Sequence, residues 1–336
     1  MKKNFAIIGC GHIAKRHVIH IEEHALGNLV GVYDIDSEVM HQFANACGVK
    51  SYATLSELLA DDLDVVNICT PNGTHADLAI QVMRSGKNVV VEKPMAISVD
   101  SAKEMEAVAK TSGVKMFVVK QNRYNPPVKR VKELLENKVL GNLLMVSVNC
   151  FWNRNADYYL QSPWRGTAKL DGGTLYTQFS HFVDIIYYLF GEIENVNGVV
   201  KNVSHKELIE FEDSGSFSFE VVTGGIGNFS FTTSSYQQNM EGSITIFCEN
   251  ATIKVGGKYL NTIDYQVTDG FDITDVPNSS PANNYGFYEG SMSNHDKVID
   301  NVIEALYGRE EVMTSAEEGR KVVEMISQFY EGAKKI

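Results

Sequence analysis

The first third of the chain alternates short segments that are apolar at nearly every position with longer stretches that are apolar at every third or fourth. Phe5 to Ile8, Leu29 to Tyr33, Val65 to Cys69, Asn88 to Val91 and Met116 to Val119 read as strands, with helical patterns near 12–24, 37–46, 75–84 and 100–110 between them. A strand without a polar face must be covered on both sides, which is the condition of a parallel sheet between two layers of helices. The alternation predicts a doubly wound α/β domain over residues 1–121.

After Asn122 the period changes. A helix carrying Val128, Val131, Leu134 and Leu135 leads to Gly141, and one long helical run is predicted from Thr174 to Leu189. Between 193 and 268 lie β-like segments such as Ser216 to Val222, Gly227 to Thr233 and Ile244 to Phe247, joined by Gly and Asn turns. Residues 269–290 read as a long loop and 294–334 as helix. This order predicts a second domain over 122–336, an α+β unit with an open, mostly antiparallel sheet. Such a sheet leaves one apolar face uncovered, so a homodimer or homotetramer through it is expected.

Composition narrows the partners. With 44% hydrophobic residues the 336-residue chain has ample material for two packed cores. The net charge is −12; 12 basic residues face 14 acidic ones up to Gln121, giving −2, and 18 face 28 after it, giving −10. No basic face for nucleic acid is expected from that balance, though a few local arginines can still receive a small anion. Five cysteines (Cys10, Cys47, Cys69, Cys150, Cys248) lack a Cys-x-x-Cys pair, as in a reduced, cytoplasmic protein. The apolar start stops at Gly9, and neither an export signal nor a membrane span is expected.

Gly9-Cys10-Gly11-His12-Ile13-Ala14 follows the first strand and opens the first helix. Gly9 permits a tight turn, Gly11 lets a pyrophosphate approach the backbone, and His12 and Ile13 lie at the helix N-terminus whose N–H groups face the phosphates. The second strand ends at Asp34, where a carboxylate accepts both adenosine ribose hydroxyls and repels a 2′-phosphate. The context is that of a Rossmann dinucleotide fold, with NAD as the cofactor. Thr70-Pro71-Asn72-Gly73-Thr74-His75 and Glu92-Lys93-Pro94 leave the carboxyl ends of two further strands of the same sheet, where ligands bind in open α/β folds. Turn chemistry alone also explains Pro and Gly at these places.

Together with Gly172-Gly173 and His181, these motifs resemble the glucose-fructose oxidoreductase/inositol dehydrogenase (Gfo/Idh/MocA) family of NAD(P)-dependent sugar oxidoreductases, over nearly the whole chain. The resemblance implies that Lys93 lies beside the nicotinamide and the reacting hydroxyl. It also implies cofactor contacts from Thr70, Pro71, Asn72, His75, Glu92 and Lys93. Within the family, Gln121-Asn122-Arg123-Tyr124-Asn125-Pro126, Trp152-Asn153-Arg154, Asp157-Tyr158-Tyr159 and Trp164-Arg165-Gly166-Thr167 are similar to bacterial UDP-N-acetylglucosaminuronate 3-dehydrogenases. By that resemblance Gln121, Trp164 and Arg165 join the cofactor site, while Lys93, Arg123, Tyr124, Arg154, Tyr158, Tyr159, Gln178 and His181 meet the substrate. The residue types permit it: Arg123, Arg154 and Arg165 can clamp a carboxylate or diphosphate, and Tyr158, Tyr159 or Trp164 can stack on uracil. The plain alternative is that the aromatics pack and the arginines pair with carboxylates.

One position departs from the family pattern. Many members carry an aspartate four residues before the second-domain histidine, whereas this chain has Thr177 before His181, and Asp184 lies one turn beyond. Acid–base work then falls on Lys93, whose amine must lose its proton more readily than a free lysine at about 10.4, and on His181. His12, His17, His20 and His24 suggest a metal cluster only at first glance; no metal is expected, and His41, His205 and His295 show no constellation. The reading is an NAD-dependent dehydrogenase for the 3-hydroxyl of a UDP-linked N-acetylated uronic acid. The alternatives are an inositol or simple sugar dehydrogenase, an NAD-dependent glycosidase of the same family, and a non-catalytic NAD sensor.

Overall fold

The apolar N-terminal segments assemble into a six-stranded sheet. Its elements are β1 (Lys3–Ile8), α1 (Ala14–Glu23), β2 (Gly27–Tyr33), α2 (Ser37–Cys47), β3 (Lys50–Ser51), α3 (Leu55–Ala60), β4 (Val65–Ile68), α4 (His75–Arg84), β5 (Asn88–Val91), α5 (Val99–Ser112) and β6 (Met116–Val118). The strand order is β3-β2-β1-β4-β5-β6, every pair parallel. The order reverses between β1 and β4, so the crevice for a ligand opens at the carboxyl ends of those two strands. Val65, Val66, Ile68, Val89, Val90 and Val91 are all fully buried, as strands covered on both faces require. β3 and α3 were not expected from the sequence; β3 is two residues long, too short to leave a periodic trace.

The remaining elements are α6 (Pro126–Glu136), β7 (Leu143–Phe151), α7 (Ala156–Leu160), α8 (Thr174–Thr177), α9 (Ser180–Phe190), β8 (Ile193–Lys201), β9 (Ser214–Val221), β10 (Ile226–Thr232), β11 (Glu241–Cys248), β12 (Ala251–Gly256), β13 (Thr262–Thr268), β14 (Ala282–Asn284), β15 (Glu289–Met292), α10 (His295–Leu306), α11 (Ala316–Glu331) and β16 (Ala333–Lys335). The computed structural model describes residues 1–336 apart from 275, 280 and 285–288. Two units result: Met1–Lys120 with His295–Val323, and Gln121–Asn294 with Glu324–Ile336. The segment 295–323, which the sequence pattern assigned to the second domain, therefore belongs to the first unit. Its α10 lies against α1, burying Val298, Ile299, Val302 and Ile303.

The second unit holds an eight-stranded mixed sheet of order β13-β12-β11-β7-β10-β9-β8-β16, in which only β7–β10 and β8–β16 run parallel. Burial alternates along its strands, so Val146, Val148 and Cys150 face the core while Ser147 and Asn149 do not. Phe179, Phe217, Phe219, Phe229, Phe231 and Phe329 form an aromatic core, with Phe217 and Phe329 at 5.1 Å. Three strand glycines give these rings room. Gly198, Gly215 and Gly227 pair directly with Phe217, Phe231 and Phe219, and a Cβ there would lie 2.3, 2.7 and 2.2 Å from the partner's ring.

Two expectations need correction. The run from Thr174 to Leu189 is two helices, because Phe179 leaves helical dihedrals (φ −109°, ψ 5°) with its ring against Trp152 and Phe231. Part of the predicted loop at 269–290 lies outside the described residues, and Ala282 and Asn284 within it pair with Met292 and Glu289. On the outer face of the sheet Ser147, Asn228, Ser216 and Ser230 are hydrogen-bonded across strands at the centre, with exposed Ile226, Phe247, Tyr265 and Val267 around them. Among the described residues no helix is long and apolar enough to cross a membrane, and all five cysteines are free thiols.

Candidate functional site

In the first unit the loop after β1 is defined by its backbone. Gly9 has φ +95°, and a Cβ on it would lie 2.8 Å from the Cys69 carbonyl, so only glycine fits. A Cβ on Gly11 meets nothing within 4 Å, which leaves open space over the loop where a pyrophosphate can approach. Helices α2, α3 and α5 begin with the side chains of Asp36, Thr54 and Ser98 accepting from their first-turn N–H groups. α1 has no side-chain cap and no acidic residue in its first turn, as an N-terminus that receives a phosphate requires. Ala14 is fully buried where the helix meets the sheet. The Asp34 carboxylate stands beside this loop, accepting from the Cys10 N–H at 2.7 Å and the Asp36 N–H at 2.9 Å. These residues fit an NAD molecule: phosphates at the α1 terminus and an adenosine ribose at Asp34.

The two motifs after β4 and β5 are stapled together. Thr70-Pro71 leads through a short 3₁₀ turn at Asn72–Thr74 into α4. The fully buried His75 has Nδ1 2.8 Å from the Pro94 carbonyl oxygen and Nε2 2.9 Å from that of Thr70. Burial pushes its imidazole below the ordinary histidine value despite those carbonyls. The sequence reading placed His75 against the cofactor; its ring instead faces backbone on both sides and fixes the two loops that carry Thr70 and Lys93.

Glu92 also turns inward. One carboxylate oxygen accepts from His17 Nε2 at 2.9 Å and lies 3.4 Å from His295 Nε2; the other accepts from the Lys93 N–H at 3.1 Å. Burial alone would raise its pKa, but hydrogen bonds from His17 and His295 and the His17 charge hold it well below the usual carboxylate range. Burial would lower the His17 imidazole, and the Cys69 side chain and Glu92 outweigh that and push it up to about 10. His295 stays below the ordinary value because burial dominates. The constellation around His17 and His295 was invisible in the sequence, where 278 residues separate them. Three ligand-type atoms within 4.8 Å of one another can hold a metal ion. The 2.9 Å separation of His17 Nε2 from Glu92 Oε1 is also that of a hydrogen bond. The Lys93 side chain is half-buried.

In the second unit the expected substrate residues converge on one another. Buried Arg154 donates from Nε to Gln178 Oε1 at 2.7 Å, and Gln178 Nε2 donates to the Tyr158 hydroxyl at 2.7 Å. Arg165 donates to the Tyr158 carbonyl at 3.0 Å and stacks 4.2 Å over its ring, 5.8 Å from Trp164. Tyr158 and Tyr159 are buried with Ile209, which sets them in a small core rather than on an open face. His205 backs the cluster, with Nε2 2.7 Å from the Arg154 carbonyl and Nδ1 2.9 Å from Asp213. Burial would raise the Asp213 pKa, but bonds from His205 and from the Ser204 and Val203 N–H groups hold it far below the carboxylate range.

Arg123 is fully buried and grips Asp184 bidentately, Nε to Oδ2 at 3.0 Å and Nη2 to Oδ1 at 2.8 Å. This fills the fork that the sequence reading reserved for a ligand anion, and gives Asp184 its role. Gln121 lies in the same 3₁₀ turn, with half-buried Tyr124, and its carbonyl accepts from Asn294. At the position where many relatives have aspartate, the Thr177 hydroxyl donates to the buried Asp171 carboxylate, which also takes the Gly166 N–H at 2.7 Å. A carboxylate thus reaches residue 177 from the Asp171-Gly172-Gly173 turn, a signal legible in the sequence but not used. His181 is buried near the start of α9. Asn239, which accepts from Arg154 and from the Asn153 N–H, carried no sequence signal at all.

Comparison with known proteins identifies the family. Residues 3–120 match the model of the GFO_IDH_MocA oxidoreductase family with its NAD-binding Rossmann fold, and residues 128–254 match the GFO/IDH/MocA C-terminal domain. The WlbA dehydrogenase of Chromobacterium violaceum, solved with NADH and UDP-GlcNAcA, is 34% identical with a TM-score of 0.90, covering 98% of this chain and 93% of that one. WlbA of Bordetella pertussis, with the same two ligands, is 34% identical with a TM-score of 0.89, covering 99% and 96%. Glucose-6-phosphate 3-dehydrogenase of Bacillus subtilis is 28% identical over 308 residues, 87% of this chain and 86% of that protein. The chain belongs to the Gfo/Idh/MocA oxidoreductase family; it is an NAD-dependent dehydrogenase whose N-terminal Rossmann domain binds the cofactor.

Proposed function

We propose that this member of the family oxidises the 3-hydroxyl of a UDP-linked N-acetylated uronic acid. The observation that carries the reading is the 34% identity, over nearly the full length, to two dehydrogenases solved with NADH and UDP-GlcNAcA. The cluster of buried Arg154, Gln178 and Tyr158 with half-buried Arg165 supports it, since two guanidinium groups on one aromatic residue suit an anionic, ring-bearing substrate.

The chemistry NAD would supply when bound is a hydride acceptor for the carbinol carbon. The chain's own residues do the rest. The N-terminus of α1 and the space over Gly11 hold the diphosphate, and Asp34 holds the adenosine ribose. Lys93 Nζ contacts the reacting oxygen and takes its proton, and His181 shares that transfer; a positioned base of this kind is worth about 10² to 10⁴ in rate. Arg154, Gln178 and Tyr158 orient the sugar, with Asn239 and His205 holding Arg154 from behind.

The test is reduction of NAD, followed at the NADH absorbance, with UDP-GlcNAcA, free N-acetylglucosaminuronate, glucose 6-phosphate and inositol offered separately. Turnover with the UDP-linked sugar alone is expected, and Lys93→Ala should lower it by at least about 100-fold while NAD still binds. Turnover only with glucose 6-phosphate or inositol would move the substrate class, and NAD binding with no turnover on any of the four would leave a sensor.

A further inference from the structure

The catalytic reading leaves Glu92 without a direct part, although it is the residue next to Lys93. It is 5% exposed and carries a charge in an apolar sheet, with His17 and His295 each 1% exposed beside it. Keeping an ion pair in such a place costs several kcal/mol of desolvation per ion, and apolar residues of the same volume often stabilise a fold as well or better. Packing alone therefore does not account for the pair, but its hydrogen bonds do suggest a job. Glu92 N–H bonds the Ile68 carbonyl at 3.1 Å, beyond the last registered pair of β4 and β5, Ile68 with Val91. One residue on, the chain leaves the sheet, and the Lys93 N–H turns to the Glu92 side chain at 3.1 Å.

We propose that the His17–Glu92 pair, walled in by His295, is a positioning device for Lys93. The pair fixes the backbone of residue 93 where the sheet can no longer do so, and thereby sets where the amine lies. His17 Nε2 orients the carboxylate from one side, and Asn67 on β4 fixes the His17 ring through Nδ1 at 2.8 Å. The His295 ring lies edge-on to His17 at 5.7 Å and closes the pair to water. Asn67, His17, Glu92 and Lys93 thus form one chain of contacts from a buried strand to the loop that carries the amine. An amide side chain at 92 cannot replace the carboxylate, because His17 Nε2–H and the Lys93 N–H meet different oxygens and a glutamine would turn an NH2 toward one of them. The inference rests on Lys93 as the base of the reaction proposed above.

Glu92→Gln and His17→Gln, each compared with wild type and Lys93→Ala, test it with UDP-GlcNAcA and NAD. Displacing a reacting group by about 1 Å can cost up to about 100-fold, so kcat per folded molecule should fall by at least about 10-fold in both variants, with KM and NAD affinity within about threefold. The double variant should be no slower than Glu92→Gln, since the two residues act as one unit. If Glu92→Gln does not fold, His17→Gln carries the test, because it leaves the carboxylate to bond Lys93 unguided. Wild-type kcat in the folded variants, losses that track only the folded fraction, or fully additive losses overturn the positioning role. An inactive Lys93→Ala beside a normal Glu92→Gln sinks this inference alone; an active Lys93→Ala sinks the catalytic reading and the inference with it.

Discussion

In the first unit the groups offered to a ligand are mostly backbone: the N–H groups opening α1 and the bare space over Gly11. In the second unit the corresponding cluster is side chain bonded to side chain, Arg154 to Gln178 to Tyr158, and Arg123 is locked on Asp184. The first kind of site tolerates changes of side chain but no added atom at one or two glycines. The second tolerates no loss of a partner, because each removal strands a buried charge or dipole.

The contrast is sharpest at Arg123. Arg123→Ala should destabilise the protein by about 3–5 kcal/mol, since it leaves Asp184 charged and buried, while Arg123→Met with Asp184→Leu should recover most of that. Urea midpoints with an unchanged m-value measure both. A loss below about 1 kcal/mol for the single variant would break the view of the second unit as a side-chain network. The paired glycines come next. Gly9→Ala should cost about 1–3 kcal/mol and lose NAD binding, whereas Gly11→Ala should keep its thermal midpoint and weaken NAD at least about 10-fold. Calorimetric titration that finds Gly11→Ala binding like wild type would remove the backbone cradle from the first unit.

The smallest effect concerns the one side-chain cluster of the first unit. The His17 imidazole is pushed up to about 10 in the folded chain against about 6.5 unfolded. Its contribution is complete below pH 6.5 and fades as the pH rises toward 10, so stability should fall by about 1 kcal/mol between pH 7 and 8. His295, held low by burial, is neutral in both states over that range, and Glu92 and Asp213 are ionised in both, so none of them contributes there. His17→Gln should flatten the alkaline decline; an equal slope in the variant assigns it to other groups.

What could be read from the residues follows the same division. The Gly9-x-Gly11 loop, Asp34 and the Thr70 and Glu92 motifs are contiguous in sequence because a strand end and the loop after it deliver them together. The cluster in the second unit is assembled from the segment after β7, α7, the segment at 164–165 and the residues between α8 and α9, and nothing local in the chain announces that Arg154 meets Gln178. Arg123 was misread for the same reason: an arginine's partner 61 residues away leaves no mark on its neighbours. Asp171 could have been found, since it opens the turn before Gly172-Gly173. His295 could not, because its meaning depends on a fold that brings the two ends of the chain to Glu92.

The late return of residues 295–323 has a consequence for synthesis. A ribosome that has delivered Met1 to Lys120 has produced all six parallel strands but not α10, whose apolar face lies against α1, nor the histidine that shields Glu92. The nucleotide-binding half begins first and finishes nearly last, so the nascent chain must hold it open while seven of the eight strands of the second sheet are made.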